Sequence, residues 1–148
     1  MMIRRYKPED CQKLSELFCQ TVHTVNAKDY TKEQLNAWAS EYIDREEWNQ
    51  TLMEHYSLVA AKDDKIVGFG DIDQTGYLDR LYVHKGYQGR GIATALCDAL
   101  EQKIQGSIVT HASITAKPFF EKRGYHVEKE QQVERNGVQL TNYIMKKD

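Results

Sequence analysis

Leu78-Asp79-Arg80-Leu81-Tyr82-Val83-His84-Lys85-Gly86-Tyr87-Gln88-Gly89-Arg90-Gly91-Ile92-Ala93 runs from a strand pattern through three glycines within six positions into a helix start. Glycines let backbone N–H groups turn inward and approach a ligand without Cβ obstruction. The first helical turn adds unpaired donors and a positive dipole end, so the loop reads as a phosphate cradle. Arg90 adds a cation within it, and Lys85 stands just before it. A nucleoside-triphosphate loop is excluded, because no Gly-Lys-Ser/Thr occurs. Gly89-Arg90-Gly91-Ile92-Ala93-Thr94 comes within one residue of the dinucleotide pattern. However, Val109-Thr110-His111-Ala112 stand where its acidic residue is expected, and the loop follows the fourth strand rather than the first, which makes that reading the weaker one.

Outward from this turn, the preceding chain divides by hydrophobic period. Residues 3–6 read as a strand, and Pro8-Glu9-Asp10 as a helix start with Pro in its first turn and acids at the positive dipole end. Cys11, Leu14, Leu17, Phe18, Val22 and Val25 then recur at helical spacing. The capping box Thr31-Lys32-Glu33-Gln34 predicts a second helix carrying Leu35, Trp38 and Tyr42, and residues 44–54 a third. Residues 56–61 and 65–72 predict two strands joined by Lys62-Asp63-Asp64, and residues 76–83 the next strand. After the glycine loop, Ile92, Leu96, Leu100 and Ile104 mark one face of a helix. Residues 107–111 read as a strand and 115–122 as a short helix stopped near Gly124. The chain closes on a hairpin, 125–134 and 138–145, around Asn136-Gly137, where both residues tolerate positive φ. The fold class expected is α/β (α+β), one domain over residues 1–148.

The 148 residues carry 20 basic and 22 acidic side chains, a net charge of −2 that disfavours a general nucleic-acid binder. Hydrophobic residues at 41% and charged residues at 28% fit a soluble globular chain with one core. No apolar run approaches the roughly 18 residues that span a bilayer, and no apolar segment follows the charges of Met1-Met2-Ile3-Arg4-Arg5-Tyr6, so cytoplasm is the expected compartment. Cys11, Cys19 and Cys97 lack CxxC spacing, and the five histidines form no HxxxH or HExxH pair. Neither a disulfide framework nor a metal site is expected.

Gln88-Gly89-Arg90-Gly91-Ile92-Ala93 resembles the [QR]-x-x-G-x-[GA] signature of the GNAT superfamily of acetyl-CoA-dependent N-acetyltransferases, at that family's position between strand four and the next helix. The element order is similar to the family's as well. Thr110-His111-Ala112-Ser113-Ile114-Thr115-Ala116-Lys117-Pro118-Phe119-Phe120-Glu121-Lys122-Arg123-Gly124-Tyr125 and Tyr30-Thr31-Lys32-Glu33-Gln34-Leu35-Asn36-Ala37-Trp38 resemble a bacterial, YafP-like branch. The resemblance implies a mixed, mostly antiparallel sheet of about seven strands, splayed between strands four and five and flanked by helices. It implies acetyl-CoA as cosubstrate, with no metal, and a primary amine on a small molecule or peptide as acceptor.

Residue by residue, the resemblance gives the coenzyme A pyrophosphate to Gln88, Gly89, Arg90, Gly91, Ile92, Ala93 and Thr94. Backbone groups of Leu81 and Val83 match the pantetheine contacts, and an N–H near Tyr82 or Val83 would face the thioester carbonyl as an oxyanion donor. Ser113 stands where many members have an asparagine for the pantetheine amide. Phe119 and Phe120 fall beside the arm. Phe120 replaces the tyrosine that many members use as general acid, so the thiolate is protonated by solvent or through water by His111 or Ser113.

The family's glutamate base aligns with Tyr77, and alternation along strand four places Asp79, two residues on, on the same face as Tyr77, Leu81 and Val83. Asp79, with Tyr77 beside it, is the expected carboxylate near the amine; an ion pair with a basic neighbour is its ordinary alternative. His111 titrates near neutrality and is a second candidate base. Tyr30, Trp38, Trp48 and His23 are available to line the acceptor pocket, and Asp71 and Asp73 are either attractors for a cationic amine or solvated strand-end residues. Two other functions compete: an acyl-CoA-binding sensor or partner module without turnover, which Phe120 favours, and a dinucleotide oxidoreductase. Exposed edges of the final hairpin make a homodimer an ordinary outcome.

Overall fold

The computed structural model describes residues 1–40 and 42–148. In chain order its strands are β1 (Met2–Arg5), β2 (Tyr56–Lys62), β3 (Lys65–Ile72), β4 (Tyr77–Val83), β5 (Ile108–Ser113), β6 (His126–Arg135) and β7 (Val138–Lys147). Its helices are α1 (Cys11–Thr24), α2 (Lys32–Trp38), α3 (Arg45–Glu54), α4 (Ile92–Glu101) and α5 (Lys117–Lys122). One sheet in the order β1-β2-β3-β4-β5-β7-β6 runs through the molecule, and among its pairs only β4–β5 is parallel. None of the described helices is long and apolar enough to cross a membrane.

Local chemistry accounts for the element ends. Thr31 Oγ1 accepts from Gln34 N at 3.1 Å while Gln34 Oε1 accepts from Thr31 N at 2.9 Å, the reciprocal cap that opens α2. Asn136 and Gly137 take φ of +50° and +81° and close the β6–β7 hairpin. Helix α2 ends at Trp38, four residues short of Tyr42, which lies outside it and is 86% exposed. Helix α4 likewise stops at Glu101, and Ile104 reaches the core from the following turn. The apolar period alone carried both helices too far.

Each sheet face has its own core. Helix α4 packs Ile92, Leu96 and Leu100 against Leu58, Val67, Leu78 and Val83. The opposite face packs Leu14, Phe18 and Val22 of α1 with Leu35, Leu52, Val59 and Phe69. Gly70 faces α4 in β3, where a Cβ would stand 2.9 Å from Arg80 O and 3.0 Å from Leu100 Cδ1, so its absence sets how closely α4 approaches.

Candidate active site

Strands β4 and β5 share two rungs, Tyr77↔Val109 and Leu78↔Thr110, and then part. Thr110 Oγ1 donates to Leu78 O at 2.9 Å and ties the last rung. Beyond it the strands diverge into a wedge-shaped cavity of about 200 Å³, lined by Leu81 and Val83 on one side, Ala112 and Ser113 on the other, and Ala93, Phe119 and Phe120 at its base. His84 N donates to Val67 O at 2.8 Å, which fixes the alternation: residues 82 and 84 turn their backbone groups to β3, and Leu81 and Val83 turn theirs into the wedge. Of the two expected oxyanion donors, the Tyr82 amide is therefore directed to β3. The Val83 carbonyl is held by Gln88 Nε2 at 2.6 Å, so that side chain braces the loop against the strand.

Simple alternation along β4 fails at Asp79. Asp71 pairs with Arg80 and Ile72 with Leu78, so Asp79 is the extra residue of a β-bulge. The expected single face of Tyr77, Asp79, Leu81 and Val83 is split. Leu78, Leu81 and Val83 pack with the α4-side core, whereas Tyr82 packs on the α1 side and Tyr77, Arg80 and Tyr82 line the cavity there. The bulge leaves Asp79 on the boundary of the wedge and of a second cavity of about 620 Å³, together with His111 and Ser113.

The larger cavity is walled by aromatic side chains from the N-terminal helices and strands, Phe18, Tyr30, Trp38 and Trp48 among them, and by the β6–β7 hairpin through Arg135 and Asn142. Three of the four expected lining residues are thus there. His23 is not: its Nε2 lies 2.9 Å from Ala39 O, away from the cavity. Asp44, Glu47 and Asp79 supply negative charge at the walls, and Arg80 and Arg135 positive charge.

Asp71 is fully buried rather than solvated. Its carboxylate accepts from Arg80 at 2.5 Å and from Arg80 N at 3.0 Å, and it meets His55 Nδ1 at 2.8 Å. The hydrogen bond to Asp71 raises the His55 pKa above its ordinary value. Arg80 lies 3.6 Å from Asp79 and stacks 4.7 Å from the Trp48 ring centre. Ligand atoms of His55, Asp71 and Asp79 fall within 4.8 Å of one another, a spacing a cation could use, but the Arg80 guanidinium already supplies the countercharge there. Asp73 instead accepts from Thr75 and from Tyr77 N, shaping the β3–β4 turn. Charged residues inside the apolar strand patterns of β3 and β4 were the available signal for the buried Asp71–Arg80 pair.

Burial, then the charge of Asp71, pushes the Asp79 carboxyl above the ordinary range. Burial pushes the Tyr77 phenol up to about 12, with Asp79 adding to it. Partial burial lowers His111. Near neutrality these three offer a carboxylate of increased basicity, a protonated phenol and a neutral imidazole. Ser113 Oγ accepts from Ala116 N at 3.0 Å, and Phe120 is 3% exposed in edge-to-face contact with Tyr125, its ring centre 5.0 Å away.

At the open end of β4 the loop takes φ of +72° at Gly89 and +81° at Gly91, the latter capping α4. Among the described residues no protein acceptor takes a backbone N–H from residues 88–94. Arg90 and Lys65 stand 5.1 Å and 5.4 Å from the Tyr87 ring centre, which keeps positive charge at this end. The arrangement can hold an anion on the loop, an extended arm in the wedge and an amine in the larger cavity.

Residues 26–147 match the acetyltransferase (GNAT) domain family. The chain is 37% identical over 147 residues to the uncharacterized N-acetyltransferase YafP of Escherichia coli strain K12, covering 99% of this chain and 95% of that protein. A GCN5-related N-acetyltransferase from Rhodopseudomonas palustris superimposes with a TM-score of 0.95 at 34% identity, covering 99% of this chain and 94% of that one. The PaiA N-acetyltransferase of Thermoplasma acidophilum, solved with coenzyme A, shares the fold with a TM-score of 0.78 at 21% identity, covering 99% and 98%. The glycine loop, the wedge between β4 and β5 and these relatives agree: the chain belongs to the GNAT superfamily of acetyl-CoA-dependent N-acetyltransferases.

Proposed function

We propose that residues 1–148 act as one catalytic unit in which a primary amine, on a small molecule or a peptide, attacks acetyl-CoA directly within a ternary complex. The observation that carries this reading is the position of Asp79, whose bulge borders both the wedge and the larger cavity. The backbone donors of residues 88–94 hold the pyrophosphate, and Leu81 and Val83 pair with the pantetheine arm. The Val83 N–H faces the thioester oxygen and stabilises the charge that develops there. Asp79 takes the proton of the attacking amine, with His111 as the alternative base on the same boundary and the Tyr77 phenol beside them. The departing thiolate is protonated through solvent, because Phe120 has no proton to give. Asp44 and Glu47 on the wall of the larger cavity favour a cationic acceptor entering from solvent. The cytoplasm, where acetyl-CoA is available, is the compartment proposed, and the exposed outer strand β6 is the edge through which a homodimer would form.

Incubating the protein with acetyl-CoA and a panel of primary amines, while following free thiol, tests this. Amine-dependent thiol release supports it. Saturable acetyl-CoA binding with no release for any amine supports the second reading, an acyl-CoA sensor, which the buried Phe120 at the usual acid position favours.

A further inference from the structure

Among the described residues, five border both the wedge and the larger cavity: Trp38, Asp79, Tyr82, His111 and Ser113. They form the neck through which the acyl carbon of a donor in the wedge meets an amine in the cavity. Asp79, His111 and Ser113 make its polar side, and Trp38 and Tyr82 its aromatic side. Both aromatic rings are held. Trp38, the last residue of α2, meets Tyr30 edge to face with ring centres 5.3 Å apart. Tyr30 is fixed in turn by its hydroxyl, which donates to Thr141 O at 2.7 Å and accepts from Ile114 N at 2.9 Å. The Tyr82 ring packs against Phe18 and Phe69, with centres 5.0 Å and 5.7 Å away. Burial pushes the Tyr82 phenol up, and the Trp38 indole N–H is among the neighbours that offset this, so the indole is within reach of the phenol.

A thioester carbon carries sulfur, oxygen and the acyl chain in one plane. With the sulfur on the arm in the wedge and the oxygen on the Val83 N–H, the acyl chain is left one direction, and the amine attacks from a face of that plane. An acyl methyl gains by leaving water for aromatic surface. Laid against Asp79, His111 and Ser113 it would strip water from polar groups and give no hydrogen bond in return. The favourable direction runs to Trp38 and Tyr82.

We propose that the Trp38 and Tyr82 rings form the acyl subsite, and that the Trp38 indole, fixed by Tyr30, limits the donor to an acetyl-sized group. This rests on the acetyl-CoA reading and deepens it: a residue of α2 selects the donor as well as lining the acceptor cavity. Close-packed side chains yield little, so each further methylene has to push the indole off Tyr30 or lie against the polar side of the neck.

The test is calorimetry on the full chain with coenzyme A, acetyl-CoA and butyryl-CoA, with no amine present. Wild-type protein is expected to bind butyryl-CoA at least about tenfold more weakly than acetyl-CoA. Trp38→Leu and Trp38→Ala are expected to close most of that difference by strengthening butyryl-CoA, while coenzyme A, which has no acyl group, binds as in wild type. Equal affinity of wild type for the two thioesters overturns the proposal, as does a difference that persists in both variants. An equal loss for all three ligands in both variants also overturns it, because Trp38 would then support the fold rather than read the acyl chain. Wild-type protein that binds none of the three defeats the acetyl-CoA reading itself, a result distinct from the others.

Discussion

The rings of Tyr77 and His111 meet edge to face across the β4–β5 seam, their centres 5.1 Å apart and their planes at 68°. Both line the larger cavity beside Asp79. Burial lowers His111, so its imidazole is neutral at neutral pH, and burial raises the Asp79 carboxyl. If Asp79 receives the amine proton, kcat/KM falls as pH drops through its raised pKa. Asp79→Asn is expected to lower kcat about 100-fold and to remove that acid limb, whereas His111→Gln keeps it. Rate profiles between about pH 5 and 9 with one acceptor amine read this, since the amine's own ionisation is common to all three proteins. A limb lost in His111→Gln and kept in Asp79→Asn gives the base role to His111.

Gly91 holds φ at +81° where the loop becomes α4, and a Cβ built there meets no atom within 4 Å. The cost of Gly91→Val is therefore conformational rather than steric, about 1–2 kcal/mol. Relaxing that φ turns the neighbouring N–H groups away from a shared anion. Coenzyme A affinity is expected to fall at least about tenfold, beyond what the stability loss explains. Calorimetry beside denaturant titration separates the two effects; unchanged affinity removes the loop from the phosphate site.

Asp71 joins Arg80 and His55 in a buried group, so Asp71→Ala leaves the guanidinium without its carboxylate and is expected to cost about 3–5 kcal/mol. The same group gives a pH signature. The Asp71 hydrogen bond raises His55 in the folded state, so its stabilisation is fully present below the ordinary histidine value of about 6.5 and is lost as pH rises through the folded value. The difference in unfolding free energy between wild type and His55→Gln should shrink as pH rises. A difference flat in pH assigns the pair to packing alone.

Local signals in the chain carried much of this architecture. The Thr31 capping box, the Asn136-Gly137 turn and the glycine run each act within a few residues and can be read there. Asp79 could not be placed in that way. Its bulge exists only as a mismatch between β3 and β4, so alternation along one strand predicts the wrong face. Neither reading open for Asp71, amine attractor or solvated strand end, anticipated its burial, because Arg80 and His55, nine and sixteen residues away, meet it only after the strands pair.

Gly76, just before β4, sets the anchored end of the wedge. Its carbonyl accepts from Val109 N at 2.9 Å beside the Tyr77↔Val109 rung, its φ is +93°, and a Cβ would stand 2.5 Å from Ser107 O. Gly76→Ala therefore combines left-handed backbone strain with a clash against rigid backbone, about 3 kcal/mol together. Gly106→Ala is the matched control: φ is +118° and no atom lies within 4 Å, so only the backbone cost of about 1–2 kcal/mol is incurred. Because just two rungs hold β4 to β5, pushing Gly76 away from Ser107 shifts the strand that carries Asp79, Leu81 and Val83. Gly76→Ala is expected to weaken acetyl-CoA binding and to lose more stability than Gly106→Ala, which should bind as wild type. Equal affinity in both variants, measured by calorimetry after confirming folding by circular dichroism, would mean that the wedge keeps its width without this anchor.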